Sequence, residues 1–398
     1  MARLWTSGGE SGALLSERVR LLGTGTFTFD TSVTRSGARS YKYDSGASLA
    51  VTSVFDFTAV NATTYYARVY RRFDVAPGAT ISVLVLGPNT EHVRLRLTNT
   101  GVVQAWNTTV QIGSDGPTIA FNDGIWHKLE ISMTYSAAGA ETYELRWNDV
   151  VVHSGSAAIT AASGWQVGFG LGAGVGANVI WYADDCALND STGASQNSWC
   201  GEGKVVNLIP TSDSARAALW KGGVGGTTSL FDAVNNIPPI GTGTETNLTQ
   251  IEHAGAAAGT TDAYDANMTT YTAAGIGAAD TIMVVENLMV TGEDISTGTK
   301  LLNVQAVSNP AISVSANFDV GSAAVGTFPT NWNAARSGVV SYLPSVTLAT
   351  APVLRVIRPE TASRVASVCY MAMVVEYQAV AAQRSIIVRQ AVNRASTY

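Results

Sequence analysis

The chain has 398 residues, enough for two or three domains that each bury a core of their own. Charged residues make up 14% and hydrophobic ones 46%, which excludes a disordered chain, and a net charge of −6 offers no basic footprint for nucleic acid. Glycine is abundant, lysine is scarce, and no apolar run has the length of a signal peptide or a membrane span. These features predict short strands and tight turns in a protein made in a cytosol.

Period-two alternation, the mark of half-buried strands, recurs through the first half. "TFTFD" sets Phe27 and Phe29 on one face, and "TYYARVYRRF" sets Tyr65, Ala67 and Val69 against Tyr66, Arg68 and Tyr70. In "EHVRLRLTN", Val93, Leu95 and Leu97 point inward while Arg94 and Arg96 point to solvent. "GIWHKLEISMTY" buries Leu129, Ile131 and Met133 opposite Lys128, Glu130 and Ser132. "ETYELRWND" aligns Tyr143, Leu145 and Trp147, and Asn148-Asp149 turns the chain into "VVVHSG". "WQVGFGLG" and "NVIWYADDCAL" complete a set whose strand number and spacing predict a β-sandwich or jelly roll.

From about Asn189 to Thr244 the composition turns to Gly, Ser, Asn and Pro, the chemistry of turns and loops. Within it "KVVNLIP" reads as a strand and "SDSARAALW" as a short helix capped by Ser212 or Asp213. Strand patterns then return and end in "RVASVCYMAMVVEYQAV". Its apolar residues on both faces predict a central strand covered on both sides. The expected organisation is all-β: a jelly-roll sandwich over residues 1–190, a second β-sandwich over 191–380, and a C-terminal arm over 381–398.

The order of "FNDGIWHKLEISM", "ETYELRWNDVVVHSG" and "VIWYADDCALND" resembles the concanavalin A-like, laminin G-like jelly-roll superfamily. With Gly201 to Pro210 and Trp220 following, the whole chain resembles a type of phage virion protein: a lectin-like jelly roll joined to a second β-rich domain. That resemblance implies a structural component of a phage particle, in the tail or decorating the capsid. It would be made in the host cytoplasm, reside in the virion and act through copies of itself and other virion proteins. The alternative is an adhesin that binds host surface glycans, and a polysaccharide-degrading enzyme is the third reading.

The glucanases that use this sandwich need facing carboxylates, on one strand with E-x-D-x-x-E spacing. Here Glu141 and Glu144 fall on opposite strand faces, while His92, His127, His153 and His253 lack ligand spacing. The expectation is therefore no enzyme and no cofactor. Asp184, Asp185 and Asp190 supply oxygens that suit a hard cation, but strand neighbours 184 and 185 should point to opposite faces, and a polar strand end is favoured over a metal site. Cys186 and Cys200 enclose a loop that a disulfide would close, and buried thiols are favoured over it. Trp106, Tyr135, Trp147, Asn148 and Asp149 are the candidate sugar contacts. In the arm, Arg384, Ile386, Ile387, Val388, Arg389 and Arg394 are the candidate assembly contacts.

Overall fold

The computed structural model describes residues 3–46, 50–89, 92–159, 162–171, 179–217, 220–222, 230–235, 251–253, 263–293, 300–307, 309–318, 333–336, 340–341, 349–357 and 366–380. The chain forms two compact units, Met1–Gly201 and Glu202–Tyr398. The boundary lies at 201 and not at 190, because residues 191–201 pack on the first unit.

The first unit begins with β1 (Arg3–Ser7), α1 (Leu14–Glu17), β2 (Arg20–Gly23), β3 (Thr26–Asp30), β4 (Ser40–Asp44) and β5 (Val51–Thr58). It continues with β6 (Thr64–Phe73), β7 (Ile81–Pro88), β8 (Val93–Leu97), β9 (Val103–Asn107) and β10 (Val110–Gln111). It closes with β11 (His127–Thr134), β12 (Ala140–Trp147), β13 (Val150–Ala158), β14 (Gly164–Leu171) and β15 (Ile180–Asp190). Sheet I runs β13-β12-β11-β6-β15-β4-β3, with β1 also paired to β15; sheet II runs β10-β9-β8-β7-β14-β5-β2. Every pairing between these strands is antiparallel, as expected where hairpins connect neighbours.

Alternation in the sequence becomes layering in space. Val93, Leu95 and Leu97 from sheet II meet Tyr65, Ala67, Val69, Leu129, Ile131 and Met133 from sheet I in one buried core. Trp5 stacks between Phe55 and Phe169, with ring centroids 5.1 and 5.5 Å away. Asn148 and Asp149, with φ of 47° and 69°, form the two-residue turn that pairs Trp147 with Val150. Both central residues are left-handed, which matches the twist of the hairpin and explains the Asn-Asp choice.

One arginine breaks the pattern. The odd-numbered face of β6 carries Arg71 into the core, fully buried. Its Nη2 donates to the Val83 carbonyl of sheet II at 2.6 Å, and the guanidinium lies 5.6 Å from the Tyr43 ring centroid. Its Nε and Nη1 have no hydrogen-bond partner, and burial pushes the guanidinium down to about 10.

The second unit holds β16 (Lys204–Leu208), β17 (Pro210–Arg216), β18 (Trp220–Gly222), α2 (Phe231–Val234), β19 (Ile251–His253), β20 (Ala263–Met268) and β21 (Thr281–Glu293). After them come β22 (Lys300–Ala306), β23 (Asn309–Phe318), β24 (Asn333–Arg336), β25 (Val340–Ser341), β26 (Val353–Ile357) and β27 (Ala366–Gln378). Sheet III runs β18-β19-β27-β21-β24 with β16 on β27 and β25 on β21; sheet IV runs β17-β20-β26-β22-β23. Val206, Leu208, Met371, Met373 and Val375 face Tyr264, Ala266, Leu302, Val304, Leu354 and Val356 across the core. The protein is therefore all-β and made of sandwiches. β27 is central, with Cys369, Tyr370, Ala372 and Val374 buried as completely as Met371 and Met373.

The helix expected at "SDSARAALW" is absent. Residues 210–216 form β17, paired with β20, because sheet pairing outweighs a weak local helix preference. Asp213 does cap a helix, but not its own: its carboxylate accepts the Leu230 and Phe231 N–H groups at the start of α2 and the Tyr264 hydroxyl. No helix of the described residues is long and apolar enough to cross a membrane.

Candidate functional site

The aspartates of β15 lie on a bulge. Pairing with β6 skips between Asp184 and Ala187, and Asp185 takes a left-handed φ of 49°. The two side chains therefore do not point to opposite faces as simple alternation predicts; both reach the segment at Arg35 and Ser36. Asp184 Oδ2 accepts the Arg35 N–H at 2.8 Å, and Asp184 Oδ1 accepts the Asp185 N–H at 2.7 Å. Asp185 pairs with the Arg35 guanidinium and accepts the Ser36 hydroxyl. That guanidinium also covers Tyr70, 3.3 Å from the ring centroid.

Glu10 sits beside them with its carboxylate against Gly37. Oε2 accepts the Ala38 N–H at 2.8 Å and Oε1 is buried without a hydrogen bond. Burial pushes Glu10 well above the usual carboxylate range, and the charges of Glu17 and Asp185 add to it. Burial also raises Asp184, reinforced by Asp185 and Glu10. The chemistry is that of a latch holding residues 35–38 onto the sandwich. Among the described residues no group of three or more His, Cys, Asp or Glu is arranged to hold a metal. Asp190 ends β15, and its Oδ1 accepts the Thr192 N–H and hydroxyl in an Asx-type turn.

The outer face of sheet I is occupied by the chain's own residues 191–201. Arg68 donates Nε to the Asp185 carbonyl and Nη1 to the Gly201 carbonyl, both at 3.0 Å. The Gly201 N–H donates to Glu130 Oε1, and the Cys200 thiol donates to the Tyr66 carbonyl. Trp199 packs edge-on to Tyr66 and lies under the Arg146 guanidinium, 3.8 Å from its ring centroid. This buttress explains why Arg68 and Glu130 are buried although they alternate with core residues. Cys186 and Cys200 are both buried thiols, with no disulfide between them.

The sugar-contact candidates are not brought together. Trp147 is a core residue tilted against His127, at 4.9 Å between ring centroids, and Tyr135 packs edge-on against Trp165. His127 is satisfied on both nitrogens, donating from Nε2 to Asp123 and accepting at Nδ1 from the Asn148 amide. Asn148 Oδ1 also accepts the Lys128 N–H, and Asp149 pairs with the Lys128 ammonium. These residues hold a hairpin on sheet I, whereas Trp106 lies on sheet II. The arm residues Arg384, Ile386, Ile387, Val388, Arg389 and Arg394 lie outside the described residues.

Trp106 has different company. On the outer face of sheet II, register sets Arg94 opposite Trp106 and Arg96 opposite Gln104. All four are half-buried, while Val93, Leu95, Leu97, Val103 and Ala105 of the same strands face the core. The Arg96 guanidinium stacks over the indole, 4.1 Å from the ring centroid. Trp106 Nε1 donates to Gln104 Oε1, and Gln104 and Gln111 both donate to Asp115 Oδ1 at 2.8 Å. These two amides pull the exposed Asp115 carboxyl below its ordinary value. Arg94 Nε donates to His92 Nε2 at 2.8 Å.

Burial lowers both guanidinium pKa values, and Arg96 lowers that of Arg94 further. No acid of the described residues offsets either charge. The signal was legible in the sequence as two arginines on one strand face, "RLR", beside "QAW" on the next strand. Reading those arginines as merely solvent-facing missed it.

No family model and no curated protein matches the chain. Several solved structures are similar to part or most of the chain. The endo-β-1,4-glucuronan lyase from the fungus Trichoderma reesei is similar at 13% identity, covering 47% of this chain and 95% of that one, with a TM-score of 0.35. The alginate lyase from Corynebacterium sp. is similar at 8% identity, covering 41% and 81%, with a TM-score of 0.31. The tandem CBM22 domains of Paenibacillus barcinonensis Xyn10C are similar at 10% identity, covering 93% and 96%, with a TM-score of 0.28.

At these identities the likeness is one of β-sandwich fold alone. Against the expectation of no enzyme, the similar structures include polysaccharide lyases. That expectation rested on a missing carboxylate pair, which bears on glycosidic hydrolysis and not on cleavage begun by proton abstraction.

Proposed function

We propose that the first unit is a glycan-binding module whose contact surface is the outer face of sheet II around Trp106. The observation that carries this reading is a half-buried indole fixed on a rigid sheet, ringed by the planar groups of Arg96, Gln104 and Gln111. Sugars present apolar C–H faces bounded by hydroxyls, so they need a flat aromatic or guanidinium surface with hydrogen-bonding groups at its rim. Pre-organisation on paired strands lowers the entropy lost on binding. Sheet I supports no such surface where residues 191–201 cover it. Assembly into a phage particle finds no comparable support, and the glycan reading takes its place.

The test is a glycan array probed with the full chain and with Trp106→Ala. The expected result is retention of the full chain on a subset of glycans, lost in the variant at an unchanged melting temperature. Retention that Trp106→Ala leaves intact overturns the assignment of the surface, and an array with no retention overturns the reading itself.

A further inference from the structure

We infer that this surface selects acidic glycans, with Arg94 and Arg96 receiving the carboxylate groups of a uronate-type polymer; the inference rests on the glycan-binding reading above. Its starting point is a charge imbalance. Two guanidinium groups stand two residues apart on one face of β8, each partly withdrawn from water. Three other arginines at the surface of the unit meet acids: Arg20 pairs with Asp56, Arg72 with Asp74 and Arg146 with Glu144. Among the described residues Arg94 and Arg96 meet none. Arg94 gives its Nε to an imidazole, and Arg96 rests on an indole while its own Nε is buried without a hydrogen bond.

Like charges this close raise each other's energy, so an anion bridging them gains from both. The polar neighbours fit that role. His92 Nε2 must accept from Arg94, which donates only, so the imidazole holds Arg94 in place without spending its charge. Asp115, an acid bonded into the patch, is engaged by Gln104 and Gln111 and not by either arginine. Stacking on Trp106 leaves the edge of the Arg96 fork for a planar partner, and a carboxylate matches that fork with two parallel N–H···O bonds. A sugar acid supplies both the carboxylate and an apolar ring face to lie beside the indole.

The experiment is calorimetric titration of the full chain with three polymers: a polyuronate, its methyl ester, and a neutral polysaccharide. The expected result is binding of the polyuronate at least about tenfold tighter than of its methyl ester, weakening as salt rises. Arg94→Gln/Arg96→Gln should reduce the polyuronate to the level of the ester without moving the melting temperature. Should that double variant fold poorly, the comparison of acid and ester on the unaltered chain still decides. Equal affinity for acid and ester overturns acid selection and leaves glycan binding standing. Binding of none of the three overturns both. Tighter binding of a single-stranded oligonucleotide than of polyuronate overturns the inference in favour of a general polyanion site.

Discussion

Arg68 and Gly201, 133 residues apart in sequence, are joined by a 3.0 Å hydrogen bond from the buried guanidinium to the Gly201 carbonyl. With the Gly201 N–H on Glu130, that contact makes residues 191–201 part of the first unit. A fragment ending at residue 190 should therefore be less stable than one ending at 203. Each buried charge-assisted bond is worth about 1.5–3 kcal/mol, and about 3 kcal/mol in all corresponds to roughly 6–12 °C in a unit of this size. Thermal melts followed by circular dichroism compare the two fragments, and equal midpoints would make the segment dispensable.

Arg71 should respond in the opposite sense to Arg68. Only one of its donors has a partner, and its cation is buried in an apolar core. Replacing such a group by an apolar chain of similar length is often neutral or stabilising. Arg71→Met should leave stability within about 1 kcal/mol of the unaltered chain or raise it, whereas Arg68→Met should cost about 3 kcal/mol. Urea unfolding of both variants measures the contrast.

Glu10 gives the first unit a pH dependence of known sign. Its folded pKa lies above the unfolded value of about 4.3, so the native state holds the proton more tightly. The associated stability is complete below about pH 4 and is lost as pH rises through the raised folded pKa. Glu10→Gln should therefore raise the melting temperature at pH 7–8 and change it little at pH 4. An equal gain at both values would show that ionisation of Glu10 is not the cause.

Calcium should leave the Asp184–Asp190 region unmoved. The oxygens of Asp184 and Asp185 are committed to Arg35, Ser36 and the Asp185 N–H, and Asp190 Oδ1 to Thr192. A cation would have to displace these donors. Melts with chelator and with millimolar calcium should coincide; a shift of several degrees would mean that a cation competes for the latch.

The two tryptophans proposed from sequence should separate cleanly. Trp147→Ala removes a buried core side chain and should cost about 3–5 kcal/mol. Trp106→Ala, on the outer face, should cost little stability and remove glycan retention. Differential scanning calorimetry beside the array reads both, and a large loss of stability in Trp106→Ala would recast that residue as structural.

Strand positions were legible because burial of one face forces alternation. "HVRLRL" and "KLEISM" betray it in four or five residues, and Asn148-Asp149 marks a turn by backbone chemistry alone. The bulge at Asp185 was not legible, since nothing in "ADDCA" shows that the partner strand skips there. Nor was the burial of Lys128 and Glu130: they occupy outward positions of β11, where alternation predicts solvent. The "SDSAR" segment misled because local helix preference is weak beside sheet pairing. The Arg94–Trp106 surface lay in between. Its residue types were visible, but their adjacency depends on which strand pairs with which.

The pairing of β1 with β15 also bears on how the protein is made. β15 is the fifteenth strand in the chain, yet it lies inside sheet I between β6 and β4 and carries β1 as well. A ribosome adding about 5–20 residues per second needs on the order of 10–40 s to deliver residue 190 after the first residue appears. Until then β1, β4 and β6, each once made, have no β15 to pair with, and their unsatisfied edges can meet other chains. Sheet I can therefore close only after its last strand has emerged, so yield during synthesis should depend on temperature and on holding chaperones more than the stability of the finished fold would suggest.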